Sequence, residues 1–163
     1  MDRADAKLLE ALQSDSTQSI AKLAEEAALS PSACHRRIRA LEQSGVIAGY
    51  GARLNPERLG LSLVAFVEIS LNSQSHEAMD RFEAAVRDFD DILDCHLMSG
   101  VGDYLLRVAV PDIAAYDVFY KKLISRIEIA KVSSAFAMEQ MKYTTAMPLQ
   151  FAATAQSAKS ERD

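Results

Sequence analysis

Residues 29–47 read LSPSACHRRIRALEQSGVI. Ser30 followed by Pro31 predicts a helix start: the serine hydroxyl can cap free amides, and proline at the first helical position gives up a donor that would have had no partner. Gly45 predicts the stop. At 100° per residue, Cys34, Ile38 and Leu41 fall within about 40° of one another. Ser32, Arg36, Arg39 and Gln43 fall on the opposite side, His35 and Arg37 lie on the flanks, and no acid occurs from Ser30 to Leu41. One face is therefore core, with Cys34 as a small apolar filler, and the other is polar and cationic. Upstream, Leu8, Leu9, Ala11 and Leu12 recur at helical spacing within Asp2 to Ser14, as do Ile20, Leu23, Ala24 and Ala27. Three short helices, the last two joined by Ala28-Leu29-Ser30, have the layout of a helix-turn-helix.

Downstream, Val46 to Tyr50 and Ala52 to Leu54 predict a small strand or hairpin around Gly49 and Gly51, giving the helical part a winged character. Asn55-Pro56 breaks this pattern and Gly60 follows, so residues 55–60 are expected to be a linker. Beyond it the chain reads as strand (Leu61 to Leu71), helix (Ser75 to Phe89), strand (Ile92 to Met98), strand (Asp103 to Val110), helix (Asp112 to Arg126) and strand (Val132 to Tyr143). The two middle strands are joined by Ser99-Gly100-Val101-Gly102. This βαββαβ order predicts a ferredoxin-like domain with two helices on one face of an antiparallel sheet. The fold class is thus α+β. In the last strand Val132, Ser134 and Phe136 alternate with Ser133, Ala135 and Ala137, so neither face is clearly polar, which favours a homodimer packed sheet to sheet. The expected organisation is 1–54 helix-turn-helix, 55–60 linker, 61–149 ferredoxin-like domain and 150–163 a disordered tail without apolar periodicity.

The chain has 163 residues, 49% apolar and 25% charged, with a formal net charge of −5. That balance taken alone argues against a protein that coats a polyanion. The charge is uneven, however: residues 1–54 hold seven Lys or Arg against seven Asp or Glu, and the remainder holds eleven against sixteen. The acidic excess therefore lies in the second part, and the arginines of residues 36–39 stand on a neutral background. Two cysteines without a secretory n-region or h-region predict reduced thiols and a cytoplasmic protein. No apolar stretch reaches the roughly 20 residues of a membrane span. Cys34-His35 and Cys95-His96 lack the paired spacing of zinc modules, so no metal site is expected. No nucleophile elbow or phosphate loop is present, and Gly100-Val101-Gly102 joins two strands, so catalysis and bound cofactors are not expected.

Three arginines on one helix would more commonly be a solvated face. The Ser-Pro start, the preceding helix and the short turn instead favour contact with double-stranded DNA. The candidate residues are Ser30, Ser32, His35, Arg36, Arg37, Arg39 and Gln43. Arg36 and Arg39 suit guanine edges or phosphates, and the helix N-terminus suits phosphate.

The motifs Asp2-x-x-Asp5-x-x-Leu8-Leu9-x-x-Leu12-Gln13 and Leu29-Ser30-Pro31-Ser32-x-Cys34-x-Arg36-Arg37-Ile38-x-x-Leu41-Glu42-x-x-Gly45-Val46-Ile47 are joined by Leu54-Asn55-Pro56. Further on come Cys95-His96-Leu97-Met98-Ser99-Gly100, Asp103-Tyr104-Leu105-Leu106 and Lys142-Tyr143-Thr144-Thr145-Ala146-Met147-Pro148-Leu149. Together they resemble the Lrp/AsnC (feast/famine, leucine-responsive) family of prokaryotic transcription regulators, over residues 2–149. The resemblance implies a DNA-binding regulator of amino-acid metabolism or transport. Its C-terminal domain would bind a small amino acid and assemble dimers into larger rings, often octamers. It also implies an effector pocket lying between dimers around Gly100, Val101, Gly102, Asp103 and Tyr104, with Ser133 and Ser134 on the fourth strand of a neighbouring copy as candidate hydroxyls. A glycine-rich hairpin exposes amides to a carboxylate, and Asp103 could pair with an α-ammonium. Two departures bear on pocket shape. Gly102 stands where relatives carry a larger residue, and Arg126-Ile127-Glu128-Ile129-Ala130 lacks the family's Leu-Pro-Gly-Val turn. The alternative reading is an amino-acid-sensing partner or enzyme regulatory subunit without DNA binding.

Overall fold

The structure, a computed structural model, describes residues 1–100 and 102–151. The chain divides into two units, Met1–Ala52 with the segment from Lys142, and Arg53–Met141. These divisions fall at Ala52 and Met141, whereas the sequence suggested a linker at 55–60 and a second domain running to 149. Val101 and the expected tail beyond Phe151 lie outside the described residues, and Leu149–Phe151 form a short 3-10 turn.

The first unit holds α1 (Arg3–Ser14), α2 (Ile20–Ala27) and α3 (Pro31–Gln43). Asp2 starts α1 with a capping box: its carboxylate accepts from the amides of Ala4 and Asp5, and Asp5 accepts from the Asp2 amide. Ser19 and Ser30 cap α2 and α3 by accepting from the amides of Lys22 and Ala33. The turn between α2 and α3 passes through Ala28 at φ 55, a left-handed conformation that costs a non-glycine residue about 1–2 kcal/mol. It lets Leu29 pack onto a core of Leu8, Ala11, Leu23, Ala24, Ala27, Cys34 and Ile38. The hairpin expected over 46–54 does not form, for the segment carries no strand. Gly49 and Gly51 supply no side chains to pack, and an isolated two-stranded ribbon is marginal in water. Only Ile47 packs against the core.

The segment from Lys142 returns to this unit and is gripped by Gln13. The Gln13 amide nitrogen donates to the Met147 carbonyl at 3.3 Å, and its carbonyl oxygen accepts from the Met147 amide at 2.5 Å.

The second unit opens with a short 3-10 turn at Glu57–Leu59, closed by Gly60 at φ 76. It continues as β1 (Leu63–Leu71), α4 (His76–Val86), β2 (Ile92–Leu97), β3 (Tyr104–Val110), α5 (Ile113–Arg126) and β4 (Ile129–Phe136). The strands form one antiparallel sheet in the order β2-β3-β1-β4, the ferredoxin-like arrangement. Its helix-covered face buries Ala65, Val67, Ile69, Tyr104, Leu106 and Val108 against Phe82, Val86, Phe119 and Leu123. The opposite face is mixed. Register places Phe66 beside Arg107 and Ala135, and Glu68 beside Leu105 and Ser133. Arg107 is ion-paired with Asp94 across β2 and β3.

β4 is shorter and earlier than the expected Val132–Tyr143. It ends where its partner ends: Phe136 pairs with Ala65, the Ala137 amide reaches the Val64 carbonyl, and β1 begins at Leu63. With no further edge to pair, Met138 and Met141 are left exposed.

Candidate functional site

Two places in the chain gather the residues singled out by sequence. The first is α3. Cys34, Ile38 and Leu41 are buried, and burial pushes the Cys34 thiol pKa up, as suits a core filler. Ser32, His35, Arg36, Arg39 and Gln43 are exposed along the other side. Among the described residues no ion pair engages Arg36 or Arg39. Ser30 holds the helix N-terminus, and its hydroxyl lies 3.2 Å from that of Ser32. The positive end of the helix dipole there favours an anion. Glu42 accepts a hydrogen bond from the Tyr50 hydroxyl at 3.0 Å.

Arg37 is placed differently from Arg36 and Arg39. Its guanidinium turns back toward the start of α1, where Nη1 donates to Asp2 Oδ2 and Asp5 Oδ1, each at 2.7 Å. A flank position on the helical wheel is compatible with either direction, and the two carboxylates decide it. The Asp5 amide and the Arg37 guanidinium hold the Asp2 carboxyl below its ordinary pKa, and the two acids push Arg37 further up.

The second place is the β2–β3 turn. A cavity of about 300 Å³ opens beside it, with Leu71, Met79, Leu97 and Met98 on its apolar side and Gln74, Gly100, Gly102 and Asp103 on its polar side. Asp103 is the keystone of the turn. Its amide donates to the Ile69 carbonyl, its carbonyl accepts from Met98, and its carboxylate accepts from the Leu71 amide at 2.7 Å and from Gln74 at 2.8 Å. The remaining lone pairs of that carboxylate are what it can offer a ligand.

Within one chain Gly100, Gly102 and Asp103 come together at this cavity, whereas Tyr104 turns away from it, and Ser133 and Ser134, expected from a neighbouring copy, lie on β4. Tyr104 is 1% exposed and stacks on Phe82 at 4.2 Å on the helix-covered face, because its register opposite Ile69 fixes that side. Burial and then Glu83, which accepts its hydroxyl proton at 3.3 Å, raise its pKa to about 12. Ser134 faces the same core and meets the Tyr116 hydroxyl at 2.5 Å. Ser133 points to the opposite face, opposite Glu68. Val101 lies outside the described residues.

Residues 64–147 match the family model described as the Lrp/AsnC ligand binding domain, and residues 1–48 match a winged helix-turn-helix DNA-binding model. The chain belongs to the Lrp/AsnC family. It is 42% identical over 151 residues to the DNA-binding transcriptional activator DecR of Escherichia coli K12, covering 92% of this chain and 99% of that one. Among solved structures, an AsnC family transcriptional regulator from Agrobacterium tumefaciens is 50% identical with a TM-score of 0.90, covering 93% and 99% of the two chains. A transcriptional regulator of Neisseria meningitidis in complex with L-Met is 35% identical with a TM-score of 0.89, at the same coverage. As an Lrp/AsnC member the chain is a DNA-binding transcription regulator with a ligand-binding domain, not an enzyme.

In this Lrp/AsnC chain the sequence reading passed over Glu68, Leu71 and Gln74. A Cβ placed on Gly102 would meet Glu68 Cγ at 2.4 Å, so Glu68 occupies the room that a larger residue at 102 would need. The signal was present: Glu68 is the one charged residue in the apolar run 61–71. Gln74, by contrast, sits in an irregular segment that periodicity does not reach. No helix among the described residues is long and apolar enough to cross a membrane.

Proposed function

We propose that this regulator controls genes of amino-acid metabolism or transport by reading duplex DNA with Ser32, His35, Arg36, Arg39 and Gln43, while Ser30 shapes a phosphate-facing helix end. The observation that carries this is the exposed face of α3, cationic and unpaired, on a helix whose opposite face builds the core. The first unit, residues 1–52, serves as the DNA-binding domain and the second as the sensing and assembly domain. The effector is a small amino acid held at the β2–β3 turn. The cavity of about 300 Å³ suits such a molecule, its apolar side matches an aliphatic or thioether side chain, and the Neisseria relative is a complex with L-Met. The chain acts in the cytoplasm as a dimer joined through the open sheet face, with dimers gathered into an octamer-like ring. An effector then changes ring packing and so the spacing of recognition helices along DNA. Half-sites are expected about one helical turn apart, or multiples of it.

Gel shift on the region upstream of the regulator's own gene tests the DNA half. Arg36→Ala with Arg39→Ala is expected to weaken specific binding by about a hundredfold, and undiminished binding overturns the assignment. Thermal-shift measurement against the twenty amino acids tests the effector half. A ligand at about 100 times its Kd stabilises the folded protein by about 2.7 kcal/mol, and a flat response across the set removes the pocket.

A further inference from the structure

We infer that Arg37 governs DNA recognition without touching DNA: by bridging Asp2 and Asp5 it fixes the rotation at which α3 presents Arg36 and Arg39. This rests on the α3 reading above.

Arg37 reaches 35 residues back to Asp2 and 32 back to Asp5, each at 2.7 Å. Its side chain is 32% exposed and that of Asp5 only 15%, so the contact is partly sheltered. Both acids are already committed to the α1 capping box, which ties the carboxylates to the first turn of α1. The guanidinium thus binds a preformed rigid element rather than two free side chains, and little further entropy is lost on pairing.

Beside this ion pair, Cys34 and Ile38 of α3 share one core with Leu8 and Ala11 of α1 and with Leu23, Ala24 and Ala27 of α2. Close packing sets the seat of α3 against α1 and α2 but tolerates rotations of several degrees through small rotamer adjustments. Hydrogen bonds to two fixed oxygens are directional and supply what the apolar contact lacks. Arg36 precedes Arg37 directly and Arg39 follows two residues later, so any rotation carries all three. A turn of about 10° at a side-chain radius of about 6 Å moves a tip by about 1 Å. Such a shift is enough to spoil a two-bond contact with a base edge. The two acids, meanwhile, more than offset the charge of Arg37 and leave the cluster net negative, so this arginine adds nothing to the field that attracts phosphate.

The experiment measures affinity for the operator and for unrelated duplex, each across salt concentration, with thermal unfolding to confirm folding. Arg36→Ala with Arg39→Ala comes first; if operator binding survives it, the α3 reading has failed rather than this inference. With that reading in place, Asp2→Asn with Asp5→Asn keeps the cap oxygens and removes the pairing charges. Operator affinity is expected to fall about tenfold, whereas affinity for unrelated DNA holds or rises because two repelling charges are gone. Arg37→Met should lower the operator-to-unrelated ratio similarly with the salt slope unchanged, and Arg37→Lys should recover part of it. Equal loss on both DNAs with the slope reduced by about one per site would make Arg37 a phosphate contact and overturn the inference. So would an unchanged ratio in the Asp2, Asp5 double variant. Should that pair unfold, Asp5→Asn alone and the Arg37→Met slope decide the matter.

Discussion

The exposed face of α3 and the β2–β3 turn are both rich in polar groups, yet they use them oppositely. On α3, Arg36 and Arg39 stand in solvent with no acid engaged, while the fold is carried by Cys34, Ile38 and Leu41 on the other side. At the turn, Asp103 is held by four partners, Ile69, Leu71, Gln74 and Met98, and Gly102 abuts Glu68. A helix can keep binding and folding residues on separate faces because its own backbone bonds are internal. A strand end cannot, since the chain that shapes a pocket also closes the ladder. Altering the helix face should therefore cost function alone, and altering the turn should cost both.

The widest separation is expected between Asp103→Ala and the Arg36, Arg39 double alanine variant. Asp103→Ala strips the partly buried Leu71 amide of its acceptor and should cost about 1–3 kcal/mol of stability. The double alanine change at exposed positions should stay within about 0.5 kcal/mol per site. Denaturant unfolding of both checks this, and equal costs would erase the distinction.

A smaller effect concerns pH at the same strand. Tyr104 titrates near 10.0 when unfolded and near about 12 when folded, because burial disfavours the phenolate. The folded state then holds the proton more tightly, so the contribution of Tyr104 to stability is fully present below pH 10 and is lost as pH rises from about 10 to about 12. Tyr104→Phe should flatten that decline, and an unaltered slope in alkaline unfolding would place the tyrosine outside the core. Least of all is Gly102→Ala: its Cβ displaces only the flexible Glu68 side chain, for about 1 kcal/mol. Glu68→Ala in the same chain should restore the loss, and additivity of the two changes would show that they do not meet.

The same contrast explains what was legible in the sequence. Helical period assigns a face without knowledge of the rest of the fold, so Ser32, Arg36, Arg39 and Gln43 are exposed opposite the buried Cys34, Ile38 and Leu41, as the spacing predicts. Arg37, on the flank, could not be assigned until Asp2 and Asp5 were placed near it. Strand alternation gives two faces but not which is covered, and β4 alternates small and apolar residues on both. Register alone sends Ser133 and Ser134 to opposite sides of the sheet. Tyr104 borders the turn in sequence but lies in the core in space. The end of β4 was invisible for a related reason: it is set by where β1 begins, not by any residue of its own.

Gln13 and its hold on Met147 bear on heredity and on engineering. The helical unit is built from two separate stretches of the gene, its opening third and the codons after Met141. A single crossover near residue 55 would furnish it with a foreign closing segment at the Gln13 contact. Both bonds go to backbone atoms of Met147, however, so hybrid regulators that exchange recognition helices between relatives should keep this grip wherever residue 13 remains a glutamine.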